Sequence, residues 1–169
     1  MLNFYNKKYT DLYITIAKLS RAEFFYNDIK LDDKLETRIY LIFVHFSLIF
    51  VIFKNQKIEK KITQKIFDNL FQNIEYHLRE QGMGDVTVNK KMKELNRIFY
   101  DILLKIRLPY MENNEVNMDI IKKYLVSNTN MSINKEELSK YFKNFFKFCF
   151  SLDSKDIIKG KIYYNHGCT

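Results

Sequence analysis

The run Arg79-Glu80-Gln81-Gly82-Met83-Gly84-Asp85-Val86-Thr87-Val88-Asn89-Lys90-Lys91-Met92-Lys93-Glu94-Leu95-Asn96-Arg97-Ile98-Phe99-Tyr100 reads as a helix end, a glycine-hinged loop and the start of a second helix. Two of the four glycines in the chain stand here, one residue apart. Glycine just past a helix takes the left-handed conformation without a Cβ clash, so Gly82 predicts a stop. Gly84 lets the chain bend again, and Thr87 or Asn89 can cap the second helix. Arg79 and Asp85 are placed to fasten this structural hinge by an ion pair.

Upstream, Ile58, Ile62, Ile66, Phe67, Leu70, Phe71, Ile74 and Leu78 draw one apolar stripe and predict a long helix over Lys57–Gln81. Its first turns carry Lys57, Lys60, Lys61 and Lys65. A solvated face explains such a cluster, and so does a contact for an anionic surface. Downstream, Met92, Leu95, Phe99, Ile102, Leu103 and Ile106 share one side of a second helix that Pro109 ends. Lys90, Lys91, Lys93 and Arg97 crowd its other side.

Farther out, Tyr9, Leu12, Tyr13, Ile16 and Leu19 predict a first helix that runs to about Tyr26 and a turn at Asn27-Asp28. Asp33 with Glu36 suggests a capping box for the next helix. That helix enters the most apolar run of the chain, Ile39–Phe53. Fifteen residues bounded by Arg38 and Lys54 are short for a membrane span of roughly 20, which favours a central core helix. His45 is then a core histidine hydrogen-bonded to a neighbour. A short helix follows near Met118–Val126, after the polar loop Glu112–Glu115. Asn134 caps a last long helix whose inner face is Leu138, Tyr141, Phe142, Phe145 and Cys149. Phe146, Phe148 and Phe150 make its end apolar nearly all round, so those rings are either buried or left exposed. With no β-alternation, the chain reads as an all-α, single-domain bundle of about six helices, spanning 9–163 between tails 1–8 and 164–169.

Chain chemistry narrows the function classes. A net charge of +8 favours anionic partners, and a core can be filled from fifteen Phe and twelve Tyr. Cys149 and Cys168 lack the spacing of a zinc site or a disulfide framework. The N-terminus shows neither a signal-peptide apolar region nor a transit-peptide pattern. No phosphate loop, nucleophile–base arrangement or metal-ligand set stands out, so catalytic residues, metal and cofactor are all expected to be none, and the protein not an enzyme. A basic helical module that binds RNA or the ribosome is one reading of the charge.

The opening run resembles the signature of the ubiquinol–cytochrome c chaperone family, the assembly factors of the cytochrome bc1 complex. The resemblance rests on Arg79, Glu80, Gly82, Gly84 and Asp85, then Lys91, Met92, Lys93 and Leu95, then Phe99 and Tyr100. Ser20-Arg21 with Phe25-Tyr26, Arg38-Ile39-Tyr40 with His45-Phe46, and Ile157-Ile158-Lys159-Gly160-Lys161 resemble further family segments. The chain departs from the family at Asp101-Ile102, where Gly-Arg often stands, and at Thr37, where Gly often stands. The resemblance implies a non-enzymatic chaperone that binds newly made cytochrome b or its nascent chain. It also implies a small partner protein and the ribosome tunnel-exit region as contacts, with no DNA partner. The place implied is the bacterial cytoplasm, with peripheral contact at the inner face of the membrane, or the mitochondrial matrix if organellar. Arg79, Glu80, Asp85, Lys90, Lys91, Lys93, Arg97, Phe146, Phe148 and Phe150 are the candidate partner-binding residues.

Overall fold

The computed structural model describes residues 7–107, 115–126 and 133–166. The sequence expectations for Pro109, Glu112–Asn114 and Cys168 fall outside them. The described residues are all-α, in eight helices: α1 (Lys7–Ser20), α2 (Glu23–Asn27), α3 (Leu35–Asn55), α4 (Lys60–Glu80), α5 (Asp85–Lys105), α6 (Met118–Leu125), α7 (Lys135–Phe150) and α8 (Ser154–Ile158). Six of them are eight residues or longer; α2 and α8 are five-residue pieces.

The apolar run became the axis of the bundle. Thirteen of the 21 residues of α3 are buried, and α1, α4, α5, α6 and α7 all pack against it. Among the described residues it is the one helix long and apolar enough to cross a membrane, yet its sides are taken up by protein. Phe43 lies against Phe71 and Phe99, at ring-centroid distances of 5.7 and 5.2 Å. Contacts of this kind make truncation of a buried Phe cost about 3–5 kcal/mol.

His45 sits fully buried at the centre of α3. Its Nδ1 is 2.6 Å from the Leu41 carbonyl oxygen, which can only accept, so Nδ1 carries the proton. Nε2 then accepts from the Tyr141 hydroxyl at 2.9 Å, tying α3 to α7. Burial holds its pKa down at about 4, so the ring is neutral at pH 7. The expected hydrogen-bonded core histidine is present.

Helix ends departed from expectation where side chains found other partners. The first helix breaks after Ser20, and Arg21-Ala22 turn the chain into α2, whose Tyr26 hydroxyl donates back to the Ser20 carbonyl at 2.8 Å. Asp33 does not cap α3. Its carboxylate accepts twice from the Arg38 guanidinium at 2.7 and 2.9 Å, and Lys34 stands at the cap position without a side-chain capping bond, its ammonium donating instead to Asp32 at 2.8 Å. α5 starts at Asp85, capped by the backbone at Gly84, so Thr87 and Asn89 lie inside its first turns. Asp85 there places negative charge at the positive end of the helix dipole. Asn134 caps α7 as expected, accepting from the Glu137 amide.

Three helices close with the same device. After α3, Ile58 N–H donates to Phe53 O and Lys57 N–H to Lys54 O; after α4, Met83 donates to Leu78 and Gly82 to Arg79; after α8, Lys161 donates to Asp156 and Gly160 to Ile157. This is the Schellman pattern, which needs a left-handed residue just past the helix. Gly82 (φ 81°) and Gly160 (φ 71°) supply it, and so does Lys57 (φ 55°). The α4 helix therefore starts at Lys60, and Lys57 belongs to the turn before it. Gly84 has φ −72°, open to any residue, so its glycine is not required by the bend.

Candidate functional site

α4 and α5 form a hairpin around the Gly82 turn, and the Arg79 guanidinium clasps it. Arg79 pairs with Asp85 across the turn and with Glu75 one turn back at 2.8 Å. All three side chains reach solvent, so the clasp orders a surface loop and adds little stability. Glu80 is exposed and lies 3.9 Å from His77. Nothing occupies the 4 Å around a Cβ built on Gly82 or Gly84, so at those two positions the turn faces open space, while Met83 between them packs against the core.

Between the hairpin and the end of α3 lies an open groove of about 860 Å³. Phe50 comes from α3, Ile58 from the turn, Phe67 from α4, and Tyr100 and Leu103 from α5. Lys54 and Lys60 stand at its rim, with Thr63 and Gln64. The floor is braced from below: Phe99 lies 5.9 Å from Phe50 and 5.6 Å from Phe67, and Phe67 lies 5.7 Å from Tyr100. Phe99 is itself fully buried. The apolar lining is therefore held by the core, while Tyr100 stays 46% exposed and neighbouring Leu104 stays 74% exposed. A second, more polar groove of about 730 Å³ continues along the hairpin past Phe67 to Asp68, Glu75, Asn89, Met92 and Lys93.

Chemically, this arrangement can hold an apolar segment without enclosing it. The floor offers aromatic and aliphatic surface, the rim offers ammonium groups, and among the described residues no lid covers the top. Among the described residues no group of three or more His, Cys, Asp or Glu side chains is arranged to hold a metal. Cys149 is buried, and burial pushes its thiol pKa far above the usual range, which leaves an inert thiol.

The candidate residues chosen from sequence do not gather in one place. Lys90, Lys93 and Arg97 are exposed along the outer face of α5, and Lys93 borders the polar groove. Lys91 turns the other way and binds Glu36 at 3.0 Å, joining α5 to the start of α3. On α7, Phe146 is fully buried, with the Arg107 guanidinium 5.5 Å above its ring. Phe148 is half-buried against Tyr164 at 5.3 Å, and Phe150 is 39% exposed. Phe146 is thus a core residue, and only Phe150 of the three offers much open surface. Sequence reading assigned Phe67, Leu103 and Phe50 to the core and missed the groove. The signal that could have found it was the width of the apolar face of α5: Tyr100, Leu103 and Leu104 extend it beyond the stripe that faces α3.

Residues 27–164 match the family model described as ubiquinol–cytochrome C chaperone. The match starts after the Ser20–Tyr26 segment. Comparison with curated proteins finds no match. Among solved structures, the chain is similar to the Cbp3 homolog from Brucella abortus, known from a crystal structure. The TM-score is 0.70 at 20% sequence identity, covering 94% of this chain and 89% of that one. At that identity the likeness speaks for the shared fold.

Proposed function

From the premise that the chain belongs to the ubiquinol–cytochrome C chaperone family, we propose that it is a non-enzymatic assembly chaperone for the cytochrome bc1 complex. Its client is newly made cytochrome b, held while still incompletely assembled. The observation that carries this reading is the open groove of Phe50, Phe67, Tyr100 and Leu103, with Lys54 and Lys60 at its rim. An integral membrane client exposes apolar helix surface before assembly. A groove with an apolar floor removes part of that surface from water, at about 25 cal/mol for each Å² buried. Because the groove is open, the segment can leave sideways, which suits a chaperone that must hand its client on. The protein acts in the bacterial cytoplasm or at the inner face of the membrane, or in the mitochondrial matrix if organellar.

Two experiments test the reading. Deleting the gene lowers bc1 content while other membrane complexes persist; unchanged bc1 content sinks the assembly role. A photoreactive phenylalanine analogue at Tyr100, irradiated in cells, crosslinks to cytochrome b. Crosslinks only to other proteins move the client site off this groove.

A second reading has one observation in its favour. Lys90, Lys93 and Arg97 form an exposed basic row on α5 with no ion pair among the described residues. Such a row suits the ribosome near the tunnel exit, where a nascent client emerges. Charge reversal at these three positions abolishes low-salt ribosome co-sedimentation if they form that contact. A small partner protein belongs to the same reading, and affinity capture of the full chain tests it.

A further inference from the structure

We infer that the end of the bundle formed by the α3–α4 turn and the last turns of α5 docks on an anionic lipid surface. Residues 54–65 hold five lysines, Lys54, Lys57, Lys60, Lys61 and Lys65, against one acid, Glu59. All five are exposed, and none has an ion-pair partner among the described residues. Lys60 and Lys61 open α4, whose first turn has no acidic residue. Cations there oppose the helix dipole, so these two lysines work against local stability. Lys57 also holds a left-handed backbone position that glycine fills more easily. Lys54, in the last turn of α3, has the sign that helix end favours, but no ion pair among the described residues neutralises any of the five, and Lys60 and Lys61 gain nothing from the fold.

The residues beside them select the partner. Lys54 and Lys60 border the same groove as Tyr100 and Leu103, and Leu104, the next residue, points outward at 74% exposure. Exposed Leu and Tyr next to a lysine cluster is the composition of an interfacial membrane contact. A nucleic acid offers no apolar phase for Leu104, and the cluster holds no arginine to fork onto a phosphodiester. Lysines on flexible stems suit a laterally fluid array of headgroups. Docked this way, the groove mouth would stand at the bilayer surface. The inference rests on the proposed place at the inner face of the membrane, for which it names the docking surface and the lipid charge, and not on which client the groove takes.

The test uses the purified full chain and flotation with vesicles of phosphatidylcholine alone or mixed with phosphatidylglycerol. Binding to the mixed vesicles at low salt, absent with the neutral ones, is expected. The double variant Lys57→Glu/Lys61→Glu replaces two exposed side chains that do not line the groove. Its vesicle affinity falls at least about thirty-fold, roughly five-fold for each lysine lost. Leu104→Ser lowers vesicle affinity several-fold while leaving low-salt binding to poly-uridylate unchanged. Circular dichroism melting of each variant confirms that the fold persists. Equal binding to both vesicle types, or a double variant that binds like the parent, overturns the proposal. So does Leu104→Ser binding the mixed vesicles as tightly as the parent, which would mark a general polyanion site.

Discussion

Three left-handed residues show how differently one backbone geometry can constrain a chain. Gly82 and Gly160 share nearly the same φ, but a Cβ on Gly82 meets nothing within 4 Å, whereas one on Gly160 falls 2.6 Å from the Asp11 carbonyl oxygen. That oxygen belongs to α1 backbone and cannot swing away. Gly82→Ala therefore costs only the left-handed strain, about 1 kcal/mol, and Gly82→Val somewhat more because of its branched Cβ. Gly160→Ala adds overpacking and costs about 3 kcal/mol in total, read as a larger drop in urea midpoint. Equal losses at the two sites would contradict the close approach at Gly160. At Lys57 the sign reverses, and Lys57→Gly raises stability by up to about 1 kcal/mol in the same measurement. His45 adds a pH dependence. Its folded pKa, about 4, lies below the ordinary histidine value of 6.5, so between those values the unfolded state binds the extra proton. Stability therefore falls as pH drops from 6.5 towards 4, by on the order of 3 kcal/mol. In His45→Gln that portion of the pH slope disappears, whatever the variant loses at pH 7.

Among the elements, the long helices were legible because their signals are local. The stripe of α4, the Asn134 cap of α7 and the stop at Gly82 each depend on residues within a few turns. The ends of α2, α3 and α5 were not, because Tyr26, Asp33 and Gly84 are decided by partners that sequence spacing does not rank. Asp33 could have capped a helix or bound Arg38, and the bidentate pair won. The groove was illegible for a deeper reason: Phe50, Ile58, Phe67 and Tyr100 come from separate segments, and only the packing of α5 across α3 brings them together. Asp101 shows the same long-range assembly. Its carboxylate on α5 takes Lys105 from the same helix, Lys123 at 2.7 Å and the Tyr124 hydroxyl at 2.6 Å from α6. Hydrogen bonds from those groups, led by Lys105, hold its pKa well below the ordinary carboxylate range. The stabilisation is present above the unfolded carboxylate pKa and is lost as pH falls through the lower folded value. Asp101→Asn then costs about 1 kcal/mol at pH 7, and the gap to the parent narrows in acid below about pH 4. A gap that is constant with pH would mean the carboxylate charge contributes nothing.

For the whole molecule, the decisive separation is between the residues that hold the bundle and those that face the groove. Phe43 and Tyr100 both belong to the connected aromatic set around Phe99, yet Phe43 is fully buried and Tyr100 is 46% exposed. Phe43→Ala removes core volume and lowers stability by about 3–5 kcal/mol, so the chain and everything it does decline together. Tyr100→Asp leaves the floor of Phe67 and Phe99 in place and puts a carboxylate where an apolar segment would lie. Stability changes little, within about 1 kcal/mol, because the side chain is near solvent. If the groove holds the client, cells carrying Tyr100→Asp keep normal levels of the folded chain but lose bc1 content. Tyr100→Phe, which retains the apolar surface, restores it. Immunoblotting for the chaperone beside spectral measurement of bc1 separates the two cases. Normal bc1 in Tyr100→Asp cells would remove this groove from the function. Low bc1 accompanied by low chaperone would return the effect to folding, and the same variant purified and melted in vitro decides between the two.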